Sequence, residues 1–92
     1  MVKENINNFA SLDIRVGEII DVQDFPEAMN PSYILEINFG ENIGIKKTSA
    51  QITNYKKESL IGRKCIAVIN LGDKQIGPII SQCLILGSIS KD

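Results

Sequence analysis

The sequence predicts an all-β domain, and three observations carry that prediction. Ser32 to Phe39 alternates cleanly between apolar and polar positions. Runs rich in β-branched and other apolar residues recur at Ile14 to Asp24, Lys64 to Leu71 and Ser81 to Leu86. Glycine and proline fall singly between these runs, where turns are expected. The chain has 92 residues, 43 % of them hydrophobic and 23 % charged, which fits one globular domain over residues 1–92; either half alone would bury too little apolar surface to fold.

Asn5 to Leu12 places Ile6, Phe9 and Leu12 three residues apart, which predicts a short N-terminal helix. Ile14 to Asp24 reads as one long strand whose alternation breaks at Gly17-Glu18; a bulge there would let it serve both sides of a small barrel. Phe25 to Pro31 contains two prolines and is a loop. In the second strand Tyr33, Leu35, Ile37 and Phe39 share the buried face. A tight turn at Gly40-Glu41-Asn42 leads to a third strand over Ile43 to Thr48, with Ile43 and Ile45 inward and Lys46 facing solvent. Ala50 to Leu60 is richer in polar helix formers and predicts a short helix closed by Gly62, with Tyr55 as an anchor on the core. Strands over Lys64 to Leu71 and Ser81 to Leu86 complete the chain. Five strands with a short N-terminal helix and a short helix between strands 3 and 4 make the layout of a five-stranded OB-fold barrel. A small β-sandwich is the competitor, but sandwiches usually have more strands and no helix at that point.

Composition narrows the function. The chain has no histidine, which removes the commonest general base, and its two cysteines, Cys65 and Cys83, stand in apolar runs without metal-ligand spacing. The expectation is a non-catalytic protein with no cofactor, no metal and two buried free thiols. No apolar run reaches the roughly 20 residues of a membrane span, and the start lacks a secretory signal, so no membrane association and a cytoplasmic location are expected. Net charge is −1, yet residues 1–45 carry two basic and eight acidic side chains while residues 46–92 carry eight basic and three acidic ones. Such polarity permits a local site for an anionic ligand on a nearly neutral protein.

The strings LDIRVGEI (Leu12 to Ile19), FPEAMNPSY (Phe25 to Tyr33), FGENIGIKKTSAQIT (Phe39 to Thr53), AVINL (Ala67 to Leu71), QIGP (Gln75 to Pro78) and SQCLILG (Ser81 to Gly87) together resemble the tRNA-binding domain family, and within it the CsaA subgroup. The resemblance implies an OB barrel and tRNA as partner. It also implies a homodimer, a chaperone-like role toward unfolded or export-bound peptides in the same groove, and, for some members, attachment to an aminoacyl-tRNA synthetase. That subgroup usually continues for another turn and strand beyond the Leu86-Gly87 pair, an extension implicated in pairing subunits, whereas this chain stops at Asp92.

An OB groove reads irregular RNA by phosphate contacts, hydrogen bonds and stacking. Lys46 on a rigid strand and Lys74 in the loop before the last strand are the candidates for phosphate. Asn30, Ser49, Ser81 and Gln82 are the candidates for hydrogen bonds, with Ser49 also suited to capping the helix that follows. Leu84 stands where many relatives have a methionine, and is expected mainly in the core. Of the aromatic residues, only Phe25 is placed to be an exposed stacker. Asp73 would set a carboxylate near the phosphate path.

Overall fold

The computed structural model describes residues 11–89. Its elements are β1 (Ile14–Asp24), β2 (Tyr33–Asn38), β3 (Ile45–Ala50), α1 (Lys57–Leu60), β4 (Lys64–Val68), β5 (Lys74–Ile76), β6 (Ile79–Ser81) and β7 (Leu84–Ile89). Five of them form one antiparallel sheet in the order β3-β2-β1-β4-β7, and β5 and β6 form a separate two-stranded ribbon. The large sheet is curled into a half-barrel, an all-β arrangement consistent with an OB-like fold. The helix predicted over Asn5 to Leu12 lies, but for its last two residues, outside the described residues.

The curl begins in β1. This strand pairs with β4 through Ile14 to Glu18 and with β2 through Glu18 to Asp24, so one strand serves both sides of the half-barrel as its length predicts. The irregularity in its pairing falls between Ile19 and Asp21 and not at Gly17-Glu18. Gly17 serves close packing instead: a Cβ there would stand 2.5 Å from Ile37 Cγ2 and 2.7 Å from Phe39 Cδ1. Only a residue without a side chain lets β1 cross β2 so closely.

The core gathers Ile19, Val22, Tyr33, Leu35, Ile37, Leu60, Cys65, Ala67 and Cys83. Tyr33, Leu35 and Ile37 are its contribution from β2, as the alternation predicts. Both cysteines are buried free thiols. Desolvation pushes the Cys83 thiol up to about 11, with the neighbouring Cys65 adding to the rise and Lys46 opposing it.

In β3 the predicted facing is reversed. Ile45 is 56 % exposed and Thr48 only 1 %. Ile37 pairs with Lys46 and Leu35 with Thr48, which places Lys46 and Thr48 on the core face. A turn confined to Gly40-Glu41-Asn42 would have set Ile45 opposite Ile37. The actual turn includes Ile43 and closes with Gly44 N donating to Gly40 O (2.7 Å) and Phe39 N to Gly44 O (3.0 Å). One extra residue in the loop shifts the register by one and turns every side chain of the strand over.

The helix predicted over Ala50 to Leu60 shrinks to the single turn α1, where buried Leu60 anchors it. Ile52, Thr53 and Asn54 are weak helix formers, and Lys56 at the N-cap supplies no side-chain hydrogen bond. Gly62, at φ +88°, ends the turn as expected. The predicted last strand divides: Ser81 ends β6, and β7 starts at Leu84.

The division follows from how the half-barrel is closed. Gln82 N donates to Lys47 O (2.7 Å), and Lys47 N donates to Gln82 Oε1 (3.0 Å). Beside this pair, Thr48 Oγ1 donates to Cys83 O (2.7 Å) and shares a hydrogen bond with Ser81 Oγ (2.9 Å). The clasp ties β3 to the end of β6 and the two residues that lead into β7, and so brings the two terminal strands of the sheet, β3 and β7, together. Thr48→Val keeps the shape of the side chain and removes the hydroxyl, leaving Ser81 Oγ and Cys83 O undersatisfied. It is expected to cost about 1–3 kcal/mol, read as a lower urea midpoint with an unchanged slope.

Candidate nucleic-acid interface

Beyond the clasp β3 and β7 run on in the same sense and part. A half-open cavity of about 800 Å³ occupies the seam between them. Ile19, Leu60 and Cys65 form its floor, Ala50, Ile52, Leu84 and Leu86 its sides, and Asn30, Ser32, Ser49 and Gln51 polar points on its wall. The cavity is therefore apolar at depth, with a few hydrogen-bonding groups around it, the usual character of a small-ligand site.

The six residues singled out by sequence fall into two groups. Asn30 and Ser49 line the cavity. Asn30 is exposed in the loop after β1, where its carbonyl accepts the Ser32 hydroxyl at 2.9 Å. Ser49 lies within β3 opposite Ile34, eight residues before α1 begins, so it does not cap the helix. Lys46, Lys74, Ser81 and Gln82 belong to the other side of the clasp. Lys46 is half-buried on the core face near Cys83 and does not point outward from the strand as expected. Lys74 opens β5, exposed and opposite Ser81. Ser81 and Gln82 are both engaged within the protein, Ser81 with Thr48 and the Cys83 carbonyl, Gln82 with Lys47.

The seam thus joins two environments. On one side β3 and β5 contribute Lys46 and Lys74; on the other lies the apolar cavity. Lys47 was not singled out by sequence. The register places it on the outer face of β3 opposite Glu36.

Two aromatic residues exchange their expected roles. Phe25 is 4 % exposed and packs near Gly77, so it is core and not a stacker. Tyr55 is 43 % exposed and lines the cavity, with the Arg63 guanidinium 5.5 Å from its ring centroid. Leu84, expected in the core, is 51 % exposed on the cavity side. A second apolar surface lies on the outer face of β1 and β4, where the register sets Ile14 beside the buried Val68 and Val16 beside Ile66, with Ile14 and Val16 each about half exposed.

A curled antiparallel sheet with an apolar cavity at its seam is consistent with an OB-like fold. Residues 14–92 match the family model described as a putative tRNA binding domain. The chain belongs to that family. It is 40 % identical to the methionine–tRNA ligase of Nanoarchaeum equitans over 86 residues, and 36 % identical to that of Pyrococcus abyssi over 87 residues. These alignments cover 88 % and 89 % of the chain but only 10 % and 11 % of the ligases, so the chain spans about a tenth of their length. Among solved structures it is similar to the CsaA chaperone protein of Picrophilus torridus, with 55 % identity and a TM-score of 0.85 over 94 % of this chain and 80 % of that one. The chaperone CsaA of Bacillus anthracis str. Ames gives 41 % identity and a TM-score of 0.81, covering 92 % of this chain and 77 % of that one.

Because Ser81 and Gln82 hold the clasp, substitutions there act on stability before they act on any ligand. Ser81→Ala and Gln82→Ala are each expected to lower the unfolding free energy by about 1 kcal/mol, whereas Lys74→Ala stays within about 0.5 kcal/mol of the parent. Urea unfolding of the three variants measures this.

Proposed function

We propose that the chain is a non-catalytic tRNA-binding module that holds folded RNA along the seam of an OB barrel, with phosphates at the lysines and bases toward the cavity. The observation that carries this reading is the seam itself. It sets Lys46, on the core face of β3, and Lys74, opposite Ser81, by the clasp that adjoins an apolar cavity fringed by Asn30 and Ser49, in a chain whose family is described by tRNA binding. Phosphate contacts fix the position of an RNA, while hydrogen bonds and stacking read its unpaired bases. Lys74 is the most accessible of the phosphate candidates. Lys46 would contribute through the end of its long stem, which can reach solvent from a half-buried Cβ. Ser81 and Gln82 would act by shaping the seam as well as by contact.

Alignment with a segment of methionine–tRNA ligases fits a module that works beside a synthetase. The buried free thiols suit a reducing compartment, and a cytoplasmic site of action belongs to the same reading. A second reading, a chaperone holding unfolded peptide, is favoured by the exposed Leu84 and Leu86 at the cavity and by the likeness to CsaA chaperones.

Salt separates the two. Binding to total tRNA should weaken steeply as salt rises, because each neutralised phosphate releases counterions, while capture of an apolar peptide should not. In a gel-shift titration at two salt concentrations, Lys74→Ala is expected to weaken tRNA binding and to reduce the salt slope by about one. Binding that ignores salt, or an unchanged slope in this variant, would remove the RNA reading or the role of Lys74 respectively.

The half-exposed Ile14 and Val16 on β1, with Ile66 beside Val16 on β4, support pairing of two copies through the outer face of β1 and β4. Light scattering is expected to give a particle of twice the chain's mass, reduced to one chain by Val16→Glu.

A further inference from the structure

We propose that the cavity at the seam receives an unpaired, amino-bearing nucleobase that stacks on Tyr55. This rests on the RNA-binding reading and names the group that enters the site. Tyr55 is the exposed aromatic residue of the cavity wall. Its carbonyl accepts the Tyr33 hydroxyl at 2.7 Å, which ties the segment between β3 and α1 to the core. Arg63 lies over one face of the ring at 5.5 Å and is not part of the cavity wall, and Tyr55 is 43 % exposed, so the other face is the one offered to a base. A ring fixed at its backbone and covered on one face loses little freedom when a base covers the other.

The charges around the cavity separate base from phosphate. Glu27 lines it, and a carboxylate there repels phosphate while accepting hydrogen bonds from the exocyclic amino group of adenine, cytosine or guanine. The cations lie outside. Lys56 and Lys64 are exposed, line no part of the cavity, and their ammonium groups have no hydrogen bond or ion pair among the described residues, whereas that of Lys57 is tied to Asp24 at 3.0 Å. A strand of RNA can therefore leave its backbone at Lys56 and send a base inward past Tyr55. The Asn30 amide at the cavity can then meet the polar edge of that base. The volume of about 800 Å³ sits within the roughly 300–1,000 Å³ of small-ligand sites.

The test uses the whole chain and a short adenine-rich single-stranded oligoribonucleotide carrying 2-aminopurine, whose emission is quenched by stacking. The parent protein is expected to bind and quench it, and to bind a uracil oligomer of the same length more weakly. Tyr55→Ala should bind about tenfold more weakly and lose the quench, with the salt slope unchanged because Tyr55 holds no phosphate. Tyr55→Phe should restore both affinity and quench. Identical far-UV circular dichroism for the three proteins excludes misfolding as the cause. If the parent binds RNA with a steep salt slope and Tyr55→Ala matches it in affinity and quench, the stacking site is wrong and the RNA reading stands. If the parent binds neither the oligomer nor tRNA, both fall. If Tyr55→Ala weakens capture of an extended apolar peptide and leaves the oligomer unaffected, the cavity is a peptide site and the proposal is overturned.

Discussion

The architecture depends on how a curled sheet joins its two terminal strands without a continuous ladder between them. The Gln82 side-chain amide and its own N–H bracket the backbone of Lys47 as a neighbouring strand would, and the buried hydroxyl of Thr48 reaches the Cys83 carbonyl. Short contacts of this kind leave β3 and β7 free to part on the far side. The cavity is the space created by that parting, so the groups that close the sheet also decide where it opens. A full ladder would have brought the strands together along their length and left no room for a ligand.

The register of β3 is the second determinant. By turning Thr48 inward, the longer loop through Ile43 makes the clasp possible, and it sends Lys47 outward in the same step. Closure and surface charge are thus set by one choice of turn. Burial of Cys83 beside this junction, with Cys65 adding to the effect, pushes its thiol up and keeps it protonated near neutral pH.

Much of the fold was legible in the sequence. The bounds of β1 are those its β-branched residues indicate, and Tyr33, Leu35 and Ile37 alternate into the core as written. The facing of β3 was not legible, because IGIKKT supports alternation on either phase and the phase depends on a single residue of loop length. The same ambiguity hid Thr48, whose polar side chain gives no apolar signal for a buried position. Tyr55 and Phe25 were misjudged for a different reason. Both lie in irregular segments, where periodicity is silent and burial depends on what packs from elsewhere in the chain: Gly77 lies close to the Phe25 ring, while Tyr55 projects at the seam. Of the candidate contacts, Asn30 and Ser49 do meet at one cavity. Lys74, Ser81 and Gln82 stand together near the clasp through the β5–β6 hairpin, which the sequence showed only as a loop.

The adjacent cations on β3 have a meaning apart from any ligand. A terminal strand with unpaired backbone groups is a template on which a strand of another chain can form, and such pairing propagates into aggregates. Lys46 and Lys47 stand side by side on that strand, one on each face. An incoming strand would meet a charged ammonium on either face and would find both backbone groups of Lys47 already taken by Gln82, so β3 resists edge-to-edge growth at this point.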